Sequence, residues 1–478
     1  MSHADPTRQH YGLTLAVLSV GALAFALSQT MVAPALPELQ HEFGASTTAV
    51  TWVLTAYLLS ASVATPIAGR LGDMFGKERL LLIVQALFAL GSLIAALGSS
   101  LEMVIAGRAI QGLGGAAFPL SFGIIRDEFP REKVATGIGL ISATFGIGGG
   151  AGLVLAGLMV DHLSYHWIFW LGLIVVVIAI VTTHLFVPES PVKSPAKIDW
   201  GGALLLSAAL VCLLLGVSEG NTWGWDSAAV LGLFAAALVL FAVWGRFELR
   251  VEEPLVDLRL MAERPVLTTN VAGMLVGFGM FGAFICIPQF VQAPEATGYG
   301  FGASVTEASF FMLPSAAVML VGGPLAGVLG TRFGSKLPLL IGTAVTAASF
   351  AFLAAVHDGP WAFYAGGAVQ GLGMSFAFAA MGNLVVEAVD ATKTGVASGI
   401  NTIMRTIGGS VGSQVTAAVL AAQHLPGSPL PAESAFTLAF VISAIGVVAA
   451  FAAALLIPGR TGGGRRLHGA PEPAAARA

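Results

Sequence analysis

Two arginines lie inside strongly apolar stretches of this chain, and each has an amide side chain about one helical turn away. Gln111 follows Arg108 by three residues and Asn401 precedes Arg405 by four, so each pair would share one face of a helix. An arginine within an apolar span costs about 2.5–3.5 kcal/mol on insertion scales. This cost predicts a use, either as a counter-charge for a bound molecule or as a structural cation bonded to other helices.

Acidic residues are missing from the deep parts of the apolar runs. Glu307 comes closest, near the end of one run, where it is either a proton carrier or a helix-start residue beside the N-cap candidate Ser304. A cavity for lipophilic cations would be expected to hold a carboxylate. We therefore predict a neutral, zwitterionic or anionic ligand, with Arg108 as its counter-charge.

The composition requires a bilayer around these residues. The 478 residues are 56% hydrophobic and 10% charged, with mean hydropathy +0.86, whereas about a quarter of the residues in a soluble domain are charged. Cys212 and Cys286 stand alone in apolar runs, so the pattern predicts neither a disulfide framework nor a metal site. The net charge of −4 does not indicate nucleic acid.

Stretches of about 20 apolar residues are long enough to span a bilayer, and the sequence contains fourteen. They lie near 12–33, 49–68, 80–98, 102–125, 135–159, 166–187, 200–217, 227–245, 266–291, 305–329, 337–356, 361–386, 395–421 and 435–457. Nearly all Lys and Arg residues outside the runs fall in alternate loops and the two tails, which indicates the cytoplasmic face. The prediction is an all-α polytopic membrane protein with both termini cytoplasmic.

An internal repeat divides the chain. The pattern Gly-x-Leu-Gly-x-x-Phe-Gly that begins at Gly69 recurs at Gly327, and Gln111-Gly112 recurs as Gln370-Gly371. Two parallel six-helix bundles with two inserted helices fit this repeat. The predicted divisions are a first bundle (1–190), two inserted helices with a cytoplasmic linker (191–262), a second bundle (263–460) and a disordered tail (461–478).

The segment from Gly69 to Arg79, Gly-Arg-Leu-Gly-Asp-Met-Phe-Gly-Lys-Glu-Arg, resembles the signature loop of the major facilitator superfamily. The pattern Arg108-x-x-Gln111-Gly112 resembles that family's drug:proton antiporter branch, and fourteen runs are similar to its fourteen-span family. The resemblance implies a major facilitator fold and proton handling at the matching arginine. It also implies a conformational latch made by Gly69, Asp73, Gly76, Lys77 and Arg79.

The chain departs from this family pattern in two spans. Ser28 stands where an aspartate is usual in the first span, and Ala33 stands where an asparagine is usual. The fifth span carries Gly152 to Gly157 without the proline of the antiporter motif. These departures affect the expected coupling ion and the expected substrate, while the fold expectation is unchanged.

Further polar and small residues in the runs complete the set of candidates. Neutral polar groups usually face a bundle interior or a cavity, although some only bond neighbouring helices; the cavity candidates are Ser28, Gln29, Gln289 and Gln370. Glycines let helix backbones approach closely; the packing candidates are Gly148, Gly152 and Gly157. Glu307, Arg405 and Asn401 join Arg108 and Gln111 as transport or proton-coupling candidates.

The combined prediction is a multi-pass secondary transporter of the bacterial cytoplasmic (inner) membrane. We expect it to export small organic compounds, drugs or metabolites, in exchange for protons by alternating access. It would act as a monomer, without a cofactor and without nucleic acid. The alternatives are a metabolite facilitator or importer and a non-transporting sensor. An enzyme is not expected, because no catalytic cluster of His, Asp or Glu is visible in the sequence.

Overall fold

A computed structural model describes residues 11–190, 192–193, 197–425, 428 and 430–458, and all the secondary-structure elements in these ranges are helical. The predicted disordered tail, 461–478, lies outside the described residues. The first part of the chain forms α1 (Tyr11–Thr30), α2 (Leu36–Phe43), α3 (Thr47–Phe75), α4 (Lys77–Ala96), α5 (Leu101–Gly112), α6 (Ala117–Glu128), α7 (Arg131–His162) and α8 (His166–Phe186). A 3₁₀ turn, Leu113–Ala116, joins α5 to α6.

The rest of the chain repeats this pattern after an insertion. The inserted pair is α9 (Trp200–Trp223) and α10 (Ala228–Glu248), followed by the one-turn helix α11 (Leu258–Met261). The second part forms α12 (Arg264–Gln292), α13 (Val305–Phe310), α14 (Leu313–Phe333), α15 (Lys336–Ala355), α16 (Pro360–Ala388), α17 (Thr394–Ala422) and α18 (Glu433–Leu455).

Twelve helical segments in the described residues are long and apolar enough to cross a membrane. The predicted runs 102–125 and 395–421 fall on α5–α6 and on α17, which are outside these twelve. The segment α5–α6 contains Arg108 and a charged end, and α17 is rich in Gly, Ser and Thr, so both are less apolar than the others. The prediction of an all-α multi-pass membrane protein is confirmed.

The repeated glycine motifs form sharp helix junctions, not the loops 69–79 and 330–336 that the sequence predicts. Helix α3 continues to Phe75, and only Gly76, with φ +117°, separates it from α4. Helix α14 similarly ends at Phe333 and is followed by Gly334, with φ +87°. Glycine adopts these positive φ values without the steric cost that a Cβ would add. The repeat therefore places two equivalent bends at corresponding positions.

The two halves meet along two helix pairs, α7 with α14 and α3 with α17. The inserted helix α9 packs against α10 and also touches α3 and α17, so it lies beside the junction of the halves. Helix α9 runs beyond the predicted end of its span, from 217 to Trp223. Glu219, which lies beyond the predicted run 200–217, is consequently part of the helix and only 2% exposed.

Candidate functional site

The carboxylate of Asp73 binds the first turn of α17, on the other half of the molecule. Its Oδ1 accepts a hydrogen bond from the backbone N–H of Gly395 at 3.1 Å, and its Oδ2 accepts one from Val396 at 3.2 Å. These N–H groups have no partner within their own helix, and the helix dipole favours an anion there. Because Asp73 is fully buried, this contact, here called the Asp73 clamp, is shielded from water.

The charge partner of Asp73 belongs to its own half. Lys77 Nζ lies 3.5 Å from Asp73 Oδ1 and 2.6 Å from Asp127 Oδ2, and all three side chains are almost completely buried. The Ser190 hydroxyl also donates to Asp127. The Asp73 carboxylate therefore has two kinds of partner, which belong to different halves of the molecule. The N-terminus comes from the second half and the cation from the first.

Two glycine contacts accompany the clamp at equivalent positions of the repeat. A Cβ added to Gly69 would lie 2.5 Å from the carbonyl oxygen of Gly395, and one added to Gly327 would lie 2.6 Å from that of Ala135. Thr331, which replaces the aspartate in the second copy, donates only to Val328 O of its own helix. The close approach is therefore symmetric, whereas the Asp73 clamp occurs in the first copy alone.

Arg126 provides a second polar link between the halves, one that was not predicted from the sequence. Its Nη1 donates to Thr394 Oγ1 at 2.6 Å, and its Nη2 donates to Val389 O at 2.7 Å. These acceptors lie just before and at the start of α17. The sequence shows a basic residue at the end of α6, but it does not show the partners of that residue, which are distant along the chain.

The other predicted latch residues have different surroundings. Arg79 is exposed, and its backbone N–H donates to the carboxylate of Glu189 at 3.3 Å. The same carboxylate lies against Gly76, where an added Cβ would collide with it. Gly76 and Arg79 thus lie at the α3–α4 bend, against the carboxylate of Glu189. Asp73 and Gly69 instead contact the other half.

Arg108 is completely buried and bonded to two neighbouring helices and to its own. Its Nε donates to Val53 O at 3.1 Å, and its Nη1 donates to Ser28 O at 3.1 Å and to Gln111 Oε1. The guanidinium lies over the ring of Tyr57, 3.9 Å from its centroid, which favours the cation. This arrangement matches the structural alternative of an arginine held by backbone carbonyls beside a broken helix.

Gln111 extends this network. Its Nε2 donates to Ser92 Oγ at 2.7 Å and lies 3.4 Å from Ser28 Oγ. Arg108 Nη2 is buried without a hydrogen-bond partner among the described residues. The sequence-predicted group Ser28, Arg108 and Gln111 is therefore one buried polar cluster that joins α1, α3, α4 and α5.

A cavity of about 40 Å³ lies between the halves, and its wall includes Tyr57, the residue whose ring Arg108 contacts. It is lined by rings, by Gln29 and by the hydroxyl residues Thr402 and Thr406. Arg405 also lines it, whereas Arg108 does not. The predicted role of Arg108 as the counter-charge for a ligand is therefore not supported by its position, since Arg108 does not line this cavity.

Arg405 contacts aromatic rings from both halves. Its guanidinium carbon is 4.6 Å from the centroid of Phe378 on α16 and 5.7 Å from that of Phe145 on α7. The predicted pairing with Asn401 is not formed. Asn401 instead donates to Asn270 Oδ1 at 3.0 Å, which ties α17 to α12.

The remaining cavity and coupling candidates are separated from one another. Gln370 lines a second cavity of about 30 Å³ beside Phe145 and Phe378, while Gln289 is exposed. Glu307 forms a capping box with Ser304 at the start of α13 and is outside both cavities. The structure therefore places Glu307 at a helix start, which was the alternative to a proton carrier.

The predicted packing glycines all contact other helices. Gly148 lies against Ala26 and Gly152 against Thr30, both on α1, and Gly157 lies against Thr306 of the second half. A side chain at any of these positions would meet a neighbouring helix. Together they allow α7 to pack closely against α1 and against α13 of the second half.

The sequence matches the family model described as Major Facilitator Superfamily over residues 18–294 and again over 269–477. The chain belongs to the Major Facilitator Superfamily. The two matched regions overlap and together include both halves of the repeat. The superfamily's members are transporters, so this chain is a membrane transporter and not an enzyme. No group of three or more metal-ligating side chains is found among the described residues.

Two bacterial relatives extend this comparison. The transporter is 31% identical over 414 residues to the tetracenomycin C resistance and export protein of Streptomyces glaucescens, covering 86% of this chain and 76% of that protein. It is 30% identical over 413 residues to multidrug resistance protein Stp of Mycobacterium tuberculosis, with coverage of 86% and 76%. The identity is spread over most of both chains.

A solved structure shares the fold of this superfamily member. The human organic anion transporter MFSD10 aligns with a TM-score of 0.66 over 94% of this chain and 100% of that chain, at 14% sequence identity. This likeness supports the fold alone.

Proposed function

We propose that this transporter exports small organic compounds across the bacterial cytoplasmic membrane in exchange for protons, by alternating access and as a monomer. The names of the two bacterial relatives, an export protein and a multidrug resistance protein, support the direction and the substrate class. Alternating access requires a contact between the halves that forms in one state and breaks in the other. The Asp73 clamp is the observation that carries this proposal.

The proposed topology has fourteen spans with both termini in the cytoplasm. It adds α5–α6 and α17 to the twelve apolar segments, because both pack among them and would otherwise leave the bundles incomplete. Two six-helix bundles, 1–190 and 263–460, would then flank the inserted pair in 191–262. The basic residues at alternate ends of the spans favour a cytoplasmic position for the Asp73 clamp.

In this topology the clamp closes the cytoplasmic entrance. Asp73, Arg126, Gly69 and Gly327 each contribute a contact between the halves near the same end of their helices. Rocking of the halves to open that entrance would break these contacts together and expose the buried carboxylate of Asp73. The structure would then correspond to a state closed toward the cytoplasm.

Proton coupling is proposed for the cluster of Arg108, Gln111 and Ser28. The cluster is buried, it contains an unpaired guanidinium nitrogen, and it contacts the cavity wall through Tyr57. A change in the position of Tyr57 would therefore change the surroundings of Arg108. Facilitated diffusion is a second candidate, because the described residues lining the two cavities include no carboxylate.

Reconstitution in liposomes distinguishes the two candidates. The purified full chain is tested with labelled anionic, neutral and cationic compounds, with and without an imposed pH gradient, against protein-free liposomes. An antiporter concentrates at least one compound only while the gradient is present. A facilitator equilibrates the compound whether or not a gradient exists, and that result would reject proton-coupled export.

A further inference from the structure

Arg405 is a cation in the cavity between the halves that has no carboxylate partner among the residues lining that cavity. Its guanidinium contacts the faces of Phe378 and Phe145. Such contacts contribute about 0.5–2 kcal/mol, which is less than a charged side chain costs within a membrane. The guanidinium is therefore poorly compensated compared with Arg108, which donates to two carbonyls and an amide.

The polar groups around Arg405 leave its donors available to a ligand. Asn401, one turn away, is bonded to Asn270. Thr402 donates to Ser398 O and Thr406 donates to Thr402 O, and in the described part of the chain neither hydroxyl oxygen accepts a hydrogen bond from Arg405. A guanidinium has five N–H donors in a planar fork that fits carboxylate, sulfonate or phosphate oxygens.

The rest of the lining favours an aromatic ligand. Phe25, Tyr57 and Phe118 come from the first half and Phe281 from the second, and each contributes to the cavity wall. Rings of this kind stack on planar apolar groups. The two features, one uncompensated guanidinium and a wall of rings, lie in the same cavity.

We propose that Arg405 is the anion-binding residue of the substrate site, and that the site takes aromatic organic anions. This inference rests on the proposed transport function, because it names the substrate class of that same cavity. Arg405 replaces Arg108 as the counter-charge, and the rings hold the apolar part of the molecule.

Ligand entry requires the halves to separate. A cavity of about 40 Å³ is far smaller than the roughly 300–1,000 Å³ that encloses a drug-sized molecule. The rings of Phe145 and Phe378, on opposite halves, meet at 5.7 Å between centroids beside Arg405. Binding would part these rings and replace the contact of Arg405 with Phe145 by bonds to the anion.

Two dyes built on one xanthene scaffold provide the test, anionic fluorescein and cationic rhodamine 123. Fluorescence anisotropy measures the binding of each dye to the purified full chain in detergent. The variants are Arg405→Gln, which removes the charge, and Arg405→Lys, which keeps it without the planar fork. Arg250→Gln is the matched control, since it removes an arginine charge at an exposed position after α10.

We expect Arg405→Gln to weaken fluorescein binding by about 10-fold or more, in line with the loss of a charge-assisted hydrogen bond. Arg405→Lys should restore part of the affinity, and Arg250→Gln should behave as the wild type. Rhodamine 123 should not lose affinity in Arg405→Gln. Thermal unfolding of each variant separates a loss of binding from a loss of folding.

The proposal is overturned if fluorescein does not bind the wild type, or if it binds Arg405→Gln with wild-type affinity. It is also overturned if Arg405→Lys binds no better than Arg405→Gln while both remain folded. Failure of the transport function has a different signature. In that case fluorescein binding would depend on Arg405, yet no compound would move across liposome membranes.

Discussion

The carboxylate of Asp73 caps the N-terminus of α17 by accepting the backbone N–H of Gly395 at 3.1 Å. The two residues belong to opposite halves of the transporter, so this bond forms only while the halves are closed at that end. Lys77 lies beside the same carboxylate at 3.5 Å. The contact thus combines the Asp73 carboxylate, the N-terminus of α17 and the buried Lys77 cation at the start of α4.

Replacing Asp73 by asparagine is expected to open this end of the transporter. The substitution keeps the size of the side chain but removes the charge that strengthens both hydrogen bonds to α17. Bonds to charged groups contribute about 1.5–3 kcal/mol, so the closed-to-open ratio should fall by about 10- to 100-fold. Spin labels at the exposed positions Arg79 and Arg332 would report a longer distance in Asp73→Asn.

Thr331→Val is the matched control for this experiment, because Thr331 occupies the same place in the second copy and bonds only its own helix. Its label distances should equal those of the unsubstituted protein. Equal distances in Asp73→Asn as well would show that the Asp73 clamp does not hold the halves together.

Adding a methyl group at Gly69 or Gly327 is expected to force the halves apart. The new Cβ would lie 2.5 Å from Gly395 O in the first case and 2.6 Å from Ala135 O in the second, and backbone atoms cannot move aside cheaply. Gly232→Ala on α10 is the control, since an added Cβ there meets nothing within 4 Å. It should raise helix stability by roughly 0.5–1 kcal/mol.

Thermal unfolding and transport of the three alanine variants check this prediction. Gly69→Ala and Gly327→Ala should both lower the unfolding temperature and the transport rate, and Gly232→Ala should lower neither. Wild-type behaviour of Gly69→Ala would mean that the backbones of α3 and α17 are not in close contact.

The sequence predicted the helices well because a membrane span depends on local composition. The run 361–386 became α16 (Pro360–Ala388), and the repeated glycine motif correctly located two equivalent bends. Charges near the ends of spans were predicted less well. Glu219 falls outside the predicted span because the apolar run stops at 217, although α9 continues to Trp223.

Partners across the molecule could not be predicted, because many of them are backbone groups. Arg108 donates to the carbonyls of Ser28 and Val53, and Asp73 accepts backbone N–H groups of α17. No side-chain pattern marks a carbonyl or an N–H as a partner. The same limit explains why Arg126 was overlooked, since one of its two acceptors is Val389 O.

Removing the amide of Gln414 is expected to loosen the inserted helix α9. Gln414 accepts from Asn221 Nδ2 and donates to Ser218 O, and Ser218 Oγ lies 3.1 Å from Thr55 Oγ1. Helix α9 thus connects α17 with α3. Gln414→Leu should cost about 1 kcal/mol of unfolding free energy and should increase amide exchange in 214–223. Gln292→Leu is the control, because Gln292 bonds its own helix at Pro288 O.

An equal change in both glutamine variants would argue that α9 is held by apolar packing alone. Faster amide exchange in Gln414→Leu alone would instead show that the hydrogen bonds of the Gln414 side chain hold α9 in place. Both variants replace glutamine by leucine, so comparing them removes any general effect of that substitution.

Arg108→Met is expected to destabilise the first half and to uncouple transport from the pH gradient. The substitution leaves Ser28 O, Val53 O and Gln111 Oε1 without their donor, at about 1–3 kcal/mol for each buried acceptor that stays unpaired. Exchange of labelled for unlabelled compound should continue in folded Arg108→Met, while gradient-driven accumulation should stop. Retained accumulation would remove Arg108 from the coupling route.

The most direct measurement is simultaneous recording of compound uptake and proton movement in liposomes that contain the purified full chain. The interior is acidic and holds a pH-sensitive dye, and a radiolabelled aromatic anion is added outside. The account predicts that uptake is accompanied by loss of protons from the interior, beyond the leak of protein-free liposomes. Uptake without any extra proton movement would contradict it.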